Sequence, residues 1–73
     1  MSRLPVCSGA QAIRAFERAG WKRDRQKGDH VMLFKTGSFF VLTIPLHREI
    51  AKGTLRRLIR DAGLTVDEFR KIL

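Results

Sequence analysis

Tyrosine is absent from this chain, cysteine and tryptophan occur once each, and Asp plus Glu number only seven in 73 residues. Each shortage excludes something. A lone cysteine, Cys7, forms neither an intramolecular disulfide nor a cysteine-based zinc cluster, so it reads as a small apolar packing residue in a reducing compartment. The few carboxylates are scattered: Asp24 and Asp29 flank a turn, Glu49 lies in a loop, and Asp61, Asp67 and Glu68 fall near helix ends. A metal-dependent nuclease needs two or more that converge, which this spacing does not offer. No apolar run is longer than Phe39 to Leu42, far short of the roughly 20 residues that cross a bilayer. The opening residues lack an apolar signal-peptide core and soon meet Pro5 and Gly9, so the expectation is a cytoplasmic chain with no membrane partner. Gly-x-Gly-x-x-Gly and P-loop motifs are missing as well, which argues against nucleotide-driven chemistry.

What the chain does have is positive charge. Lys plus Arg number 15, giving a formal net charge of +8, and 44% of residues are hydrophobic. That apolar content supports folding, and the length supports one domain, residues 1–73, with one small core. So large an excess of cations on so small a body points to a polyanionic partner, nucleic acid first.

Local patterns predict six elements. Ser8 with Gln11 forms a capping box, and Ala12, Ile13, Phe16 and Ala19 make an apolar stripe that ends at Gly20. Short strands follow over Trp21 to Arg25, His30 to Lys35 and Phe39 to Ile44, separated by a Gly28 turn and a Thr36-Gly37-Ser38 turn, with Pro45 as the stop. Ile50 reads as a core anchor within the next loop. A second helix is expected from Thr54 to Gly63, with Leu55, Leu58 and Ile59 inward and Arg56, Arg57 and Arg60 outward; a short third one starts at Thr65, whose capping partner is Glu68. The order α-β-β-β-α-α makes an α+β fold: a three-stranded antiparallel sheet with the two longer helices on one face. On the second strand His30, Met32 and Phe34 share one side and Val31, Leu33 and Lys35 the other, and both sides are apolar enough to suggest that a partner or a second copy meets some of that surface.

Few side chains are available for chemistry. His30 opens a strand just after a glycine turn, among Arg25, Lys27 and Lys35, and imidazole is the natural proton acceptor for an RNA 2′-hydroxyl. His47 follows Pro45 and suits either backbone ordering or phosphate binding. Lys52-Gly53-Thr54 opens the second helix, where free N–H groups and a nearby lysine make a phosphate seat, and Arg56 extends the positive surface. A structural histidine and a solvated helix face are the plain alternatives for these residues.

Several short pieces occur together in order: Leu4-Pro5, Ser8-Gly9, Ala19-Gly20-Trp21, Gly28-Asp29-His30, Ile44-Pro45-Leu46-His47, Lys52-Gly53-Thr54-Leu55, Ala62-Gly63-Leu64 and Glu68-Phe69. In this the chain resembles the HicA toxins, the YcfA-like mRNA interferases of HicA–HicB toxin–antitoxin systems. The resemblance implies a double-stranded-RNA-binding-domain-like fold, α-β-β-β-α, to which the short C-terminal helix is an addition. It implies His30 as the catalytic residue of a metal-independent endoribonuclease that inhibits translation and growth, with no cofactor. RNA contacts would fall on Lys27, Gly28, His47, Lys52, Gly53, Thr54 and Arg56, and a HicB-like antitoxin would be the protein partner. Two departures stand out: Asp29 replaces the usual Ser before the histidine, and Val31 follows where many members carry a second His. The group that protonates the leaving 5′-oxygen stays open between His47, a lysine and water. Two rival readings share the sequence. One is a non-catalytic RNA-binding module; the other is a DNA-binding helix-turn-helix around Gly63, which Asp67 and Glu68 at the start of its recognition helix disfavour.

Overall fold

A computed structural model describes residues 3–73. The first helix, α1 (Gly9–Arg18), begins where the sequence places its cap: Ser8 Oγ accepts from the Gln11 N–H at 3.1 Å, and Gln11 Oε1 accepts from the Ser8 N–H at 2.9 Å. Those two contacts satisfy donors that a helix start otherwise leaves orphaned. Its stripe of Ala12, Ile13, Ala15 and Phe16 is wholly buried.

The strands are β1 (Lys22–Lys27), β2 (His30–Phe34) and β3 (Leu42–Pro45), in sheet order β1-β2-β3 with antiparallel pairing throughout. Only Gly28 and Asp29 separate β1 from β2, because β1 runs on to Lys27, beyond the Arg25 end that the sequence suggests. Gly28 adopts φ +61°, as a type II′ hairpin turn requires of its first central residue. A bulge between Arg23 and Arg25 leaves Asp24 without a partner.

The third strand differs from its sequence reading. Phe39, Phe40 and Val41 are rich in strand formers yet lie outside β3 and are exposed, Phe39 completely. The ladder runs out of partners: its last pair is Leu33 with Leu42, and the Phe40 N–H is taken by Ser38 Oγ at 3.1 Å. At the other end Pro45 belongs to the strand and pairs with His30, which an edge strand tolerates.

The second helix, α2 (Lys52–Asp61), starts two residues before Thr54, with Ala51 as an N-cap that offers no side-chain bond. Lys52, Gly53 and Thr54 therefore form its first turn. The third, α3 (Val66–Ile72), has the expected capping box, Thr65 Oγ1 accepting from the Glu68 N–H at 3.1 Å and Glu68 Oε1 from the Thr65 N–H at 2.8 Å. These contacts lower the Glu68 carboxyl below its ordinary value.

One face of the sheet meets the helices. Val31 and Leu33 of β2 and Leu42 and Ile44 of β3 are fully buried against Ile13, Phe16, Leu55 and Ile59 in one core. α1 and α2 both pack on β3, and α3 closes the far side of α1, where the Phe16 and Phe69 rings stand 5.1 Å apart. Ile50 is buried as expected, and Cys7 is buried with its thiol held above the ordinary range by desolvation, which makes it a poor nucleophile. Among the described residues no helix is long and apolar enough to cross a membrane. The helices stop short of β1, all six residues of which are exposed.

Candidate functional site

Strand pairing sets the site. Because His30 opposes Pro45 across the sheet, the two residues after Pro45 come alongside the Gly28-Asp29 turn. The Leu46 N–H donates to the Asp29 carbonyl oxygen at 2.7 Å, and the next residue is His47. Asp29 then stands between two imidazoles: its Oδ1 lies 3.2 Å from His30 Nδ1, and its Oδ2 lies 3.5 Å from His47 Nε2. All three side chains are more than half exposed, at 51%, 60% and 56% for His30, Asp29 and His47, so a macromolecular substrate can reach them directly.

Glycine makes the second half of this arrangement. The Gly9 N–H donates to the His47 carbonyl oxygen at 2.9 Å, and a Cβ on Gly9 would run into the Pro45 carbonyl oxygen and crowd Leu46 Cα at 2.9 Å. The start of α1 and the end of β3 approach closely only because residue 9 has no side chain.

Of the residues singled out from sequence, His30, Lys27, Gly28 and His47 fall together around the hairpin tip. Lys52, Gly53, Thr54 and Arg56 fall on α2, and among the described residues no side-chain hydrogen bond or ion pair joins them to the Asp29 cluster. Gly53 and Arg56 instead border a groove of about 530 Å³ shared with Arg57, Arg60 and the start of α3. Sequence reasoning noted Asp29 only as His30's neighbour and missed its contact with His47. Nothing local signals that contact, because it depends on the β2–β3 register. Among the described residues no group of three His, Cys, Asp or Glu side chains is arranged to hold a metal ion.

The fold and site define a small basic α+β domain with a histidine pair at one end of an open sheet. Residues 9–64 match the family described as the HicA toxin of bacterial toxin–antitoxin systems. The chain belongs to that HicA toxin family, as the toxin of a toxin–antitoxin system. A search of curated proteins gives no match.

Proposed function

We propose that this toxin is an endoribonuclease that cuts mRNA with His30 as general base and so arrests translation and growth. The observation that carries the reading is the Asp29 carboxylate on His30 Nδ1, at 3.2 Å. With Nδ1 turned to a carboxylate, the ring offers Nε2 to a substrate in a fixed orientation, as an acidic partner does for other catalytic histidines.

In the step, His30 Nε2 takes the proton of an RNA 2′-hydroxyl as the 2′-oxygen bonds to the adjacent phosphorus. The bond from phosphorus to the 5′-oxygen breaks, leaving a 2′,3′-cyclic phosphate on one product and a 5′-hydroxyl on the other. We assign the proton for the departing oxygen to His47, because it shares Asp29 with His30. Lys27 and the Gly28 backbone steady the phosphoryl oxygens, and Lys52, Gly53, Thr54 and Arg56 hold neighbouring phosphates. The nucleophile is the substrate's own, so the step as written calls for no metal. The site is exposed, basic and near an open sheet, features that suit neutralisation in the cytoplasm by an acidic HicB-like antitoxin.

Purified toxin incubated with RNA and a chelator should yield cyclic-phosphate ends, and a strand with 2′-deoxyribose at the cut position should remain whole. Unimpaired cleavage by a folded His30→Ala variant would refute the assignment.

A further inference from the structure

Two columns of side chains share the sheet face that the helices leave bare. Partners in an antiparallel ladder point to the same side, and the register pairs Lys27 with His30, Arg25 with Met32 and Lys22 with Phe34. His30 and Phe34 are exposed and Met32 is half-buried, whereas Val31 and Leu33 between them are fully buried on the helix side. The bulge at Asp24 is what keeps this set together, since it restores Arg25 and Lys27 to the face that Lys22 starts on. The bare face therefore carries cations along β1 and, beside them on β2, a histidine at one end and a phenylalanine 42% exposed at the other.

We infer that this face is a track for single-stranded RNA, with Lys22, Arg25 and Lys27 following the phosphates and Phe34 stacking on a base away from the cut. The inference rests on the reading of His30 as the cleaving residue and adds the substrate class: an unpaired strand, not a duplex. From His30 to Phe34 is four residues, about 13 Å at a strand's rise, several times the ~3.4 Å that separates stacked bases. Charge decides the occupant. A row of cations beside an exposed ring is the pairing that single-stranded nucleic acid needs, because phosphates run along the cations while each base presents a π-face. A duplex keeps its bases stacked on one another and has no free face for Phe34. The contact of Arg25 with Asp24, 3.4 Å between exposed side chains, is weak enough for a phosphate to compete with it.

The test is binding of the full chain to a fluorescent 2′-O-methyl oligoribonucleotide, which cannot be cut, as a single strand and as a duplex, over a range of salt. Phe34→Ala should weaken single-strand binding by about fivefold or more with the salt slope unchanged, and Phe34→Leu should behave like it, since the ring and not apolar area is at stake. Lys22→Ala with Arg25→Ala should lower the slope of log affinity against log salt by about 0.7 for each charge removed. These positions lie outside the core, so thermal unfolding should match the parent. The inference is overturned if the variants bind like the parent, or if the duplex binds as tightly as the single strand. It is overturned too if Phe34→Ala changes the sedimentation mass of the free chain and spares RNA binding, which would make the face a contact between copies. A parent that binds the probe as expected but leaves unmodified RNA uncut would sink the cleavage reading alone and leave the track standing.

Discussion

Two basic regions flank the same core and are built in opposite ways. At the hairpin tip, Asp29, His30 and His47 are drawn together by strand register, by the Leu46 N–H and by the close approach of Gly9. At the start of α2, Lys52, Gly53, Thr54 and Arg56 are neighbours merely by helical succession, with no side-chain cap and open space around Gly53. The first arrangement fixes the angle between groups, as proton transfer demands; the second presents charge and N–H groups that any phosphate can use. On the proposed function, chemistry therefore belongs to the hairpin tip, and the helix contributes to affinity.

The sharpest way to break that division is to remove one side from each region. His30→Ala should lower kcat by about 10²- to 10⁴-fold with the fold intact, and Asp29→Asn by roughly tenfold or more with little change in KM. Lys52→Ala with Arg56→Ala should instead raise KM several-fold, reduce its salt dependence and spare kcat. Equal loss of kcat from the two sets, measured on one RNA substrate at fixed ionic strength, would erase the distinction.

A smaller effect comes from adding a methyl group to each region. Gly9→Ala forces the α1 start away from Pro45 and should cost about 1–3 kcal/mol in denaturant unfolding, with activity falling further than stability because His47 moves. Gly53→Ala meets no atom within 4 Å in the first turn of a helix and should stabilise by about 0.5–1 kcal/mol. RNA affinity that falls in this stabilised variant would sharpen the contrast by revealing a close backbone contact with phosphate.

The smallest effect separates capped from uncapped helices. Glu68 has its carboxyl lowered in the folded state, first by the Thr65 backbone N–H and then by the Thr65 side chain. Its contribution is thus fully present above the ordinary glutamate range and is lost as pH falls through the lower folded value. Glu68→Gln should flatten the acid limb of the stability curve, seen as a smaller drop in Tm between neutral and mildly acidic buffer. No such dependence should arise from the start of α2, which has no acidic residue in its first turn.

Helices and core were legible because their signals are local. The stripes Ala12-Ile13-Phe16 and Leu55-Leu58-Ile59 are buried as read, and both capping boxes form. Two element starts were misread for physical reasons. Phe39 to Val41 carry strand propensity but no ladder partner, and Thr54 is a capping residue type in a helix that had already begun. Of the candidate site, His30 was legible from its glycine turn and its resemblance to the HicA motif. The union of Asp29 with His47 was not, since 17 residues of intervening chain hide a contact that only pairing creates. Trp21 is buried with an indole N–H that finds no partner, a cost that the sequence gives no hint of.

Strand β1 buries none of its side chains and has a neighbour on one side only, so main-chain bonds to β2 are most of what keeps it in place. Amide hydrogens there should exchange with solvent through openings far cheaper than global unfolding. Asp29 lies in the two-residue turn that joins that strand to β2. One member of the candidate site thus hangs on a lightly held strand, and on the proposed function a chain warmed or mildly denatured would fall silent while its helices and core still stood.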